Sequence, residues 1–271
     1  MLLPEYLFLL LSRSEFDRYA RFNSWGSARE TFDWNELCRV KIPLPNIKIQ
    51  KELVDIYNGL KALAEQNEAL IEPLIKACEA FIASCKKSYK KVELGEYIEE
   101  LDKRNIDNSI KLVKSVSVTK EFKDTNAKVN KEELSGYKIV PPNFIAYVQT
   151  TKNEKCFANA LNTTNDTYVV SQVDRVITTK DTSKLDIGYL HLILRSNEFD
   201  RYAIFNSWGS ARETFDWSEL CRVKIPLPPL EVQQSIVDLY KCLEEAKKIA
   251  SEARKQLKKI CPALVQFATN L

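Results

Sequence analysis

The sequence has few of the residues on which enzyme chemistry commonly depends. Among 271 residues there are six glycines and one histidine, and there is no Gly-x-Gly-x-x-Gly or Walker A run of the kind that cradles phosphates. The seven cysteines are scattered and form no Cys-x-x-Cys pair, so we discount a zinc site, which needs clustered ligands. Such cysteines favour a reducing, cytoplasmic setting. The composition predicts neither a metal nor a cofactor on this chain.

Long apolar runs are also scarce. No stretch is long and apolar enough to span a membrane. The opening MLLPEYLFLLLS contains Pro4 and Glu5 and no basic segment, which opposes a signal peptide. The apolar fraction of 45% is ordinary for a globular protein. The net charge of +3 is mild, so it permits nucleic-acid binding without arguing for it.

The most informative feature present is an internal repeat. Residues 15–45 and 198–228 are identical at 29 of 31 positions, and the two copies lie 183 positions apart. This period is far longer than that of a solenoid. It predicts two copies of a large unit, of which the first lacks its upstream part. A fainter similarity continues on both sides.

Each repeat has three predicted parts. The first is a helix, over residues 4–23 and 186–206, because apolar residues recur at helical spacing. The second is the turn Ser-Trp-Gly-Ser-Ala-Arg, in which Gly26 and Gly209 can take positive φ. The third, Cys-Arg-Val-Lys-Ile-Pro-Leu-Pro, alternates like a short strand.

A long helix is predicted after each repeat, over residues 47–89 and 230–267. Apolar residues follow the steps of 3 and 4 that are typical of a coiled coil. In the first helix they fall at 49, 53, 56, 60, 63, 70, 74, 78, 81 and 85, with Asn67 inside the seam, and in the second at 232, 236, 239, 243, 246, 250, 253, 257, 260 and 264. Each helix would be about 60 Å long at about 1.5 Å per residue. A pair of ordinary bundle helices is the alternative.

The segment between the long helices is predicted to be β-rich. Strand-like runs cover 110–118, 138–140, 144–149 and 168–178. The fold class is therefore α+β, a mixed β-rich domain joined to two long helices.

Two polar clusters are candidate binding sites. The turn residues Ser207, Trp208, Ser210 and Arg212 offer hydroxyls and a guanidinium that suit phosphate oxygens, although a purely structural turn with Arg212 paired to Glu213 or Asp216 remains open. A second cluster ends a predicted strand with side chains able to read base edges, although an ordinary polar hairpin end is the alternative. It comprises Tyr147, Gln149, Thr150, Thr151, Lys152 and Asn153. The basic Lys120 and Arg104 complete the candidate set. His191 occupies the position of Phe8 in the first repeat and is interpreted as a packed or surface histidine.

The combined motif order resembles the specificity subunit of Type I restriction-modification systems. The resemblance rests on Gly209-Ser210-Ala211-Arg212 followed by Ile-Pro-Leu-Pro-Pro-Leu-Glu-Val-Gln-Gln at 225–234. Residues 26–29 and 42–50 form the first copy of these motifs. The segments at 91–105 and 115–122 also fit. The resemblance implies two target-recognition domains, each followed by a long helix, with the two coiled-coil-like helices antiparallel.

The resemblance divides the chain into four parts. Residues 1–46 are the remnant of a first target-recognition domain, 47–90 the first spacer helix, 91–229 a complete target-recognition domain and 230–271 the second spacer helix. The subunit is expected to read one half of a split site in double-stranded DNA without doing chemistry. Its expected partners are modification subunits and a motor-nuclease subunit, which would carry S-adenosylmethionine, ATP and Mg²⁺, and its long helices allow self-pairing.

The chain departs from the family pattern because most of the first target-recognition domain is missing. Three explanations stay open: a shortened subunit that works by pairing, a silent recombination cassette, or an inactive fragment of a longer reading frame. The alternative from another class is a coiled-coil scaffold that binds no DNA.

Overall fold

The computed structural model describes residues 1–27, 29–125, 129–130, 132–150, 156–209 and 213–269, with side chains described as far as residue 259. The chain divides into two compact units. The first consists of Met1–Lys76 and Lys241–Leu271, and the second of Ala77–Tyr240.

The first repeat forms three short helices, α1 (Pro4–Leu11), α2 (Ser14–Phe22) and α3 (Trp34–Arg39). The prediction of a single helix over residues 4–23 is wrong, because the extended backbone of Arg13 (φ −88°, ψ 148°) separates α1 from α2. Helix α3 was not predicted. It begins where the Asp33 side chain accepts a hydrogen bond of 2.9 Å from the backbone N–H of Glu36, which satisfies a free donor of the first turn.

The long helix α4 (Ile47–Ser88) has 42 residues and is continuous through Pro73. Asn46, the residue before it, caps the helix, because its side-chain oxygen accepts a 3.0 Å hydrogen bond from the Ile49 N–H. Part of its predicted seam is wrong. Ile56, Leu63 and Leu70 are 45%, 42% and 52% exposed, whereas the next residue in each case is less exposed, and Ala64 is fully buried. Ile56, Leu63 and Leu70 form one apolar stripe, and the residues that follow each of them form a second stripe with the same seven-residue spacing. The spacing alone therefore does not predict which of the two stripes is buried.

Before the second repeat, the described residues of the second unit form the strands β1 (Lys91–Glu93), β2 (Ile98–Glu100), β3 (Lys114–Val116), β4 (Phe122–Asp124), β5 (Lys138–Val140), β6 (Ile145–Tyr147), β7 (Asn159–Leu161), β8 (Tyr168–Val170) and β9 (Arg175–Thr179). The main sheet has the order β2-β9-β6-β7 and is antiparallel throughout. Strands β3 with β4 and β5 with β8 form two-stranded antiparallel pairs.

Three of the predicted runs correspond to β3, β5 and β6, and the fourth corresponds to β8 together with β9. Strand β5 covers the predicted residues. The run at 168–178 is two strands, because a turn closed by the Asp174 N–H to the Ser171 carbonyl (3.1 Å) interrupts it. Strands β1, β2, β4 and β7 were not predicted. Each has three residues and lies outside the longer apolar runs from which the other strands were predicted.

The second repeat forms α5 (Ile187–Leu194), α6 (Asn197–Phe205), α7 (Trp217–Arg222) and β10 (Lys224–Pro226). The single helix predicted over 186–206 is again divided, here at Ser196, whose hydroxyl accepts a hydrogen bond from the Phe199 N–H at 3.1 Å. Strand β10 pairs antiparallel with β1.

The last helix, α8 (Leu230–Thr269), has 40 residues. Its predicted seam is buried at Ile236, Leu243, Ala246, Ala250 and Ala253. In the first unit, Arg254 of α8 donates two hydrogen bonds of 2.8 and 2.7 Å to the Glu68 carboxylate of α4. Helix α4 leaves this unit after Lys76 and α8 enters it at Lys241, so the two segments run antiparallel.

Each long helix holds the repeat before it through a buried glutamine. The Gln50 side chain accepts a 2.9 Å hydrogen bond from the Leu3 N–H and donates to the carbonyls of Met1 (3.0 Å) and Pro45 (2.8 Å). Gln233 makes the same three bonds to the equivalent positions of the second repeat, at 2.8, 2.9 and 2.8 Å. Both side chains are fully buried. The glutamine of the sequence motif is therefore a structural clamp.

The core of the second unit is built around aromatic rings. Phe157 lies 5.0 Å from Tyr147, 5.1 Å from Phe199 and 5.5 Å from Phe215, measured between ring centroids. Two of these partners come from the second repeat, so the repeat completes the core of the β-rich segment. Within the described ranges, no helix is long and apolar enough to cross a membrane.

Candidate nucleic-acid interface

The first candidate cluster lies on a closed turn of the second repeat. Trp208 and Thr214 exchange two backbone hydrogen bonds, of 3.1 and 2.9 Å. Gly209 has a φ of +134°, as predicted, a conformation that a residue with a Cβ rarely adopts. The Trp208 ring is 69% exposed. Ser207 is half-buried, and its hydroxyl donates a 2.6 Å hydrogen bond to the Ala203 carbonyl in the last turn of α6. This donor is therefore used within the protein. Ser210 and Arg212 lie outside the described residues.

The second candidate cluster meets the first. Thr150 and Thr214 form an antiparallel bridge, and the Phe215 N–H donates to the Gln149 carbonyl at 2.8 Å. Thr150 is exposed and Gln149 is half-buried. Two segments that are distant in sequence therefore share one surface. Thr151, Lys152 and Asn153 lie outside the described residues.

A third segment, which the sequence did not single out, joins this surface. The Gln149 side chain donates a 3.2 Å hydrogen bond to the carbonyl of Val173, which lies in the turn between β8 and β9 and is 65% exposed. The register places Tyr147 opposite Arg175, so the end of β6 and the start of β9 lie at one end of the main sheet. We call Gln149, Thr150, Val173, Trp208 and Thr214 the sheet-end surface. The sequence did contain a signal for this third segment, because the charged pair Asp174-Arg175 interrupts the otherwise apolar run at 168–178.

The prediction that Tyr147 contacts DNA is wrong. The side chain is fully buried against Phe157, so it cannot reach a ligand at the surface. Burial raises the pKa of the Tyr147 phenol above its usual range. Every residue of β6 is buried, and the alternation expected of a half-exposed strand does not apply. Tyr147 is removed from the candidate set.

The prediction that Lys120 contacts DNA is also wrong. Only 7% of this residue is exposed, and its ammonium lies 2.7 Å from the Asp200 carboxylate and 3.4 Å from the Leu194 carbonyl. Burial lowers the pKa of Lys120, although the hydrogen bond to Asp200 opposes this effect. The ammonium holds the C-terminal end of α5, where a positive charge is favourable. Its role is internal.

Arg104 is exposed and belongs to a group of charges beside β2. Its guanidinium donates a 3.1 Å hydrogen bond to the Gly136 carbonyl. Nearby, the Lys138 ammonium lies 2.9 Å from Asp102 and 3.6 Å from Glu100. The hydrogen bond and charge of Lys138 hold the pKa of the Asp102 carboxyl below its usual range, with a smaller contribution from Arg104. The basic side chains here are largely neutralised by carboxylates.

The buried titratable groups described in this unit show no catalytic arrangement. Burial raises the pKa of Asp174 to about 7, which Lys138 and the Ser171 N–H partly oppose. Burial also lowers the pKa of His191 to about 3, with Arg195 and Lys120 adding to the shift. His191 is 9% exposed, in agreement with a packed histidine. In the described part of the chain, no group of three His, Cys, Asp or Glu side chains could hold a metal ion.

The second unit thus combines an antiparallel sheet, a polar surface at one end of that sheet and parts of two long helices. The family model described as Type I restriction modification DNA specificity domain matches residues 74–260. The match covers more than half of the chain, and the chain belongs to this family. Members are in general non-catalytic, and membership supports a role in DNA sequence recognition.

Two relatives illustrate the similarity. The chain is 23% identical over 287 residues to a putative type I restriction enzyme MjaX specificity subunit from Methanocaldococcus jannaschii, an alignment that covers 94% of the chain and 65% of that protein. The chain thus spans about two thirds of the length of this curated relative. A crystal structure of the type I restriction-modification S subunit from M. genitalium superposes with a TM-score of 0.65 at 13% identity, covering 96% of this chain and 72% of the other. This likeness concerns the fold alone.

Proposed function

We propose that this chain recognises a DNA sequence through the sheet-end surface. The observation that carries the proposal is the convergence of three separate chain segments at Thr150, Thr214 and Val173. An amide, hydroxyls and an exposed aromatic ring suit contacts to base edges and to the thymine methyl group in the major groove. Thr151, Lys152 and Asn153 directly follow Thr150 in the sequence and stay predicted DNA contacts that lie outside the described residues.

Phosphate contacts are proposed for the turn of the second repeat. Arg212 lies outside the described residues, and its counterpart in the first repeat, Arg29, is exposed. Such a contact positions a protein on the duplex without reading sequence. The exposed Arg104 is a further candidate for this role, weakened by the carboxylates around it.

The proposed role is that of a specificity subunit that reads one half of a split site. Modification and motor-nuclease subunits would dock on it and carry S-adenosylmethionine, ATP and Mg²⁺. Ile56, Leu63 and Leu70 form an exposed apolar stripe along α4 at seven-residue spacing. Such a stripe suits a protein partner, and we assign it to docking of a modification subunit. Self-pairing through the long helices is a competing use of the same stripe.

The test is methylation in a cell that lacks N6-methyladenine. The chain is co-expressed with its modification subunit, and modified adenines are mapped across the genome. We expect a defined sequence motif that changes when Thr150 is substituted. Methylation without any motif, or a motif indifferent to all five residues of the sheet-end surface, would contradict the proposal.

Salt dependence separates DNA recognition from a protein scaffold. A DNA-binding protein loses affinity steeply as salt rises, because phosphate contacts release counterions. Purified chain bound to a fluorescent duplex should therefore show a steep negative slope of log affinity against log salt concentration. A slope near zero would favour a scaffold whose long helices bind only protein.

A further inference from the structure

The turn between β8 and β9, residues Ser171–Asp174, presents neighbouring side chains to solvent. Ser171, Gln172 and Val173 are all exposed, whereas Asp174 is buried. A strand could not do this with one face covered, because its successive side chains point to opposite faces. The β8–β9 turn therefore has an exposed tip, formed by Gln172 and Val173, and Val173 already belongs to the sheet-end surface.

The backbone of the β8–β9 turn is closed by its own polar groups. The Asp174 N–H donates a 3.1 Å hydrogen bond to the Ser171 carbonyl, and the Ser171 N–H donates to the buried Asp174 carboxyl. The strands on either side are also paired, β8 with β5 and β9 with both β2 and β6. A turn that is tied in this way has little backbone freedom left to lose on binding, which favours a preorganised contact.

A further hydrogen bond fixes the tip of the turn to the segment that follows β6. The Gln149 side chain donates to the Val173 carbonyl at 3.2 Å. One donor of this amide is thereby used within the protein, as is the hydroxyl of Thr214, which donates to the Trp208 carbonyl at 3.4 Å. Gln149 is therefore a positioning residue for the β8–β9 turn.

The side-chain amide of Gln172, in contrast, is not engaged. Among the described residues none forms a hydrogen bond with it. An amide group carries an acceptor oxygen and an NH₂ donor side by side. This pair is complementary to the major-groove edge of adenine, where the N6 amino group donates and N7 accepts. The exposed amide of Gln172 is therefore suited to reading that base.

Gly136, in the turn before β5, leaves room for this amide. A Cβ added at Gly136 would lie 3.3 Å from the Gln172 side-chain oxygen, closer than an ordinary contact. Gly136 does not have a positive φ, so its backbone conformation does not require glycine. The missing side chain at this position instead provides space beside Gln172.

A positive charge lies next to the same glycine. The exposed Arg104 donates a 3.1 Å hydrogen bond from its guanidinium to the Gly136 carbonyl. Contacts to phosphate set the register in which a protein reads base edges, and Arg104 is a proposed phosphate contact. Gln172 and Arg104 therefore combine, around one glycine, a group suited to a base with a group suited to the backbone of the duplex.

We propose that Gln172 is a specificity-determining residue, whose side-chain amide binds an adenine of the recognised DNA sequence in the major groove. The inference rests on the proposed function, because it requires that the sheet-end surface faces the duplex. It goes further by assigning one base to one side chain. Gln149 holds the turn that carries Gln172, and Gly136 leaves the space that its amide occupies.

The test compares base preferences between the parent and two variants of Gln172. The full chain, purified with its modification subunit, selects bound sequences from a random duplex pool. Gln172→Ala should lower the preference for adenine at one position about tenfold and leave the other positions and the salt slope unchanged. Gln172→Glu should replace adenine by cytosine at that same position, because a carboxylate accepts from the N4 amino group of cytosine. A merely structural role would not exchange one base for another.

Gln234→Ala provides the matched control. Gln234 is an exposed glutamine near the start of α8 and does not belong to the β8–β9 turn. The same substitution at this position should therefore leave every base preference unchanged. Both glutamines are exposed, so none of the variants should unfold the chain, and thermal unfolding checks this point.

The possible failures of the inference and of the proposed function are distinguishable. A Gln172→Ala variant that keeps the parent motif, or loses preference for a base other than adenine, would overturn the inference and leave the proposed function intact. A uniform loss of affinity with all base preferences retained would do the same, as would an equal effect of Gln234→Ala. A parent chain that selects no motif would overturn the proposed function, and this inference with it.

Discussion

Thr150 and Thr214 face each other in an antiparallel bridge, although they lie far apart in the sequence. The bridge joins the segment that follows β6 to the turn that contains Trp208. It converts two ordinary polar segments into one surface, and it is the relationship on which the proposed DNA recognition depends.

The first prediction uses the repeat as its own control. Trp208→Ala should weaken DNA binding about tenfold, or ~1.4 kcal/mol, because Trp208 has an exposed ring and pairs with Thr214 on the sheet-end surface. Trp25→Ala removes a side chain of equal exposure from the first repeat, which contributes no residue to the sheet-end surface. Fluorescence anisotropy with one duplex measures both. Equal losses for the two variants would argue that the indole acts outside the sheet-end surface.

The second prediction separates base reading from phosphate contact. Thr150→Val removes the exposed hydroxyl and keeps the branched shape that suits an extended chain. We expect the preferred base at one position of the site to change, with discrimination altered by roughly 1–3 kcal/mol and the salt slope unchanged. Selection of bound sequences from a random duplex pool gives the base preference. A uniform loss across all sequences would indicate a structural role for Thr150.

Local features of the fold could be predicted from the sequence. The positive φ of Gly209 and Gly26 follows from glycine in a tight turn, and β5 follows from a short apolar run bounded by turn residues. Asp33 and Asp216 are N-caps followed by a glutamate three positions on. A local signal for α3 and α7 is therefore also present in the sequence.

Long-range contacts could not be predicted. Lys120 is a candidate for DNA contact until Asp200, far along the chain, is seen to bind its ammonium. Tyr147 looks like the first residue of a polar strand end until Phe157 covers its ring. The sheet-end surface itself depends on pairing between Thr150 and Thr214. In each case residue type indicates what a side chain can do, and tertiary pairing decides whether it is free to do it.

The third prediction concerns the buried carboxyl of Asp174. Its pKa is about 7 in the folded protein against an ordinary value of 3.8, so the folded state retains a proton that the unfolded state has released. Stability contributed by the protonated form is present below pH 3.8 and is lost as pH rises to about 7, by up to roughly 4 kcal/mol at 1.36 kcal/mol per pH unit.

Asp174→Asn removes this titration with little change in shape. The difference in unfolding free energy between Asp174→Asn and the parent chain should grow from pH 4 to pH 7 and then level off. Denaturant unfolding at a series of pH values measures the difference, in which other titrating groups cancel. A difference independent of pH would show that Asp174 is ionised in the fold and stabilised by Lys138.

The fourth prediction concerns His191, whose counterpart in the first repeat is Phe8. Burial depresses the His191 pKa from 6.5 to about 3, so its stability contribution is present above pH 6.5 and is lost as pH falls toward 3. At pH 5 the cost is about 2 kcal/mol. His191→Phe should remove it, and His191→Leu tests the same point with a smaller side chain. Thermal unfolding at pH 5 and pH 8 is the measurement, and equal effects at the two values would contradict the assignment.

The last prediction distinguishes the two apolar stripes of α4. Ala64 is fully buried and Leu63 is 42% exposed, although they are neighbours in sequence and both are apolar. Ala64→Glu places an unpaired charge in a closed seam and should cost roughly 2 kcal/mol or more. Leu63→Glu should change stability by no more than about 0.5 kcal/mol, yet weaken assembly with the modification subunit, because it interrupts the exposed stripe between Ile56 and Leu70. Thermal unfolding and co-purification together separate the two effects. If Leu63→Glu proved the more destabilising of the two, the seam would follow the stripe that the sequence spacing first indicated.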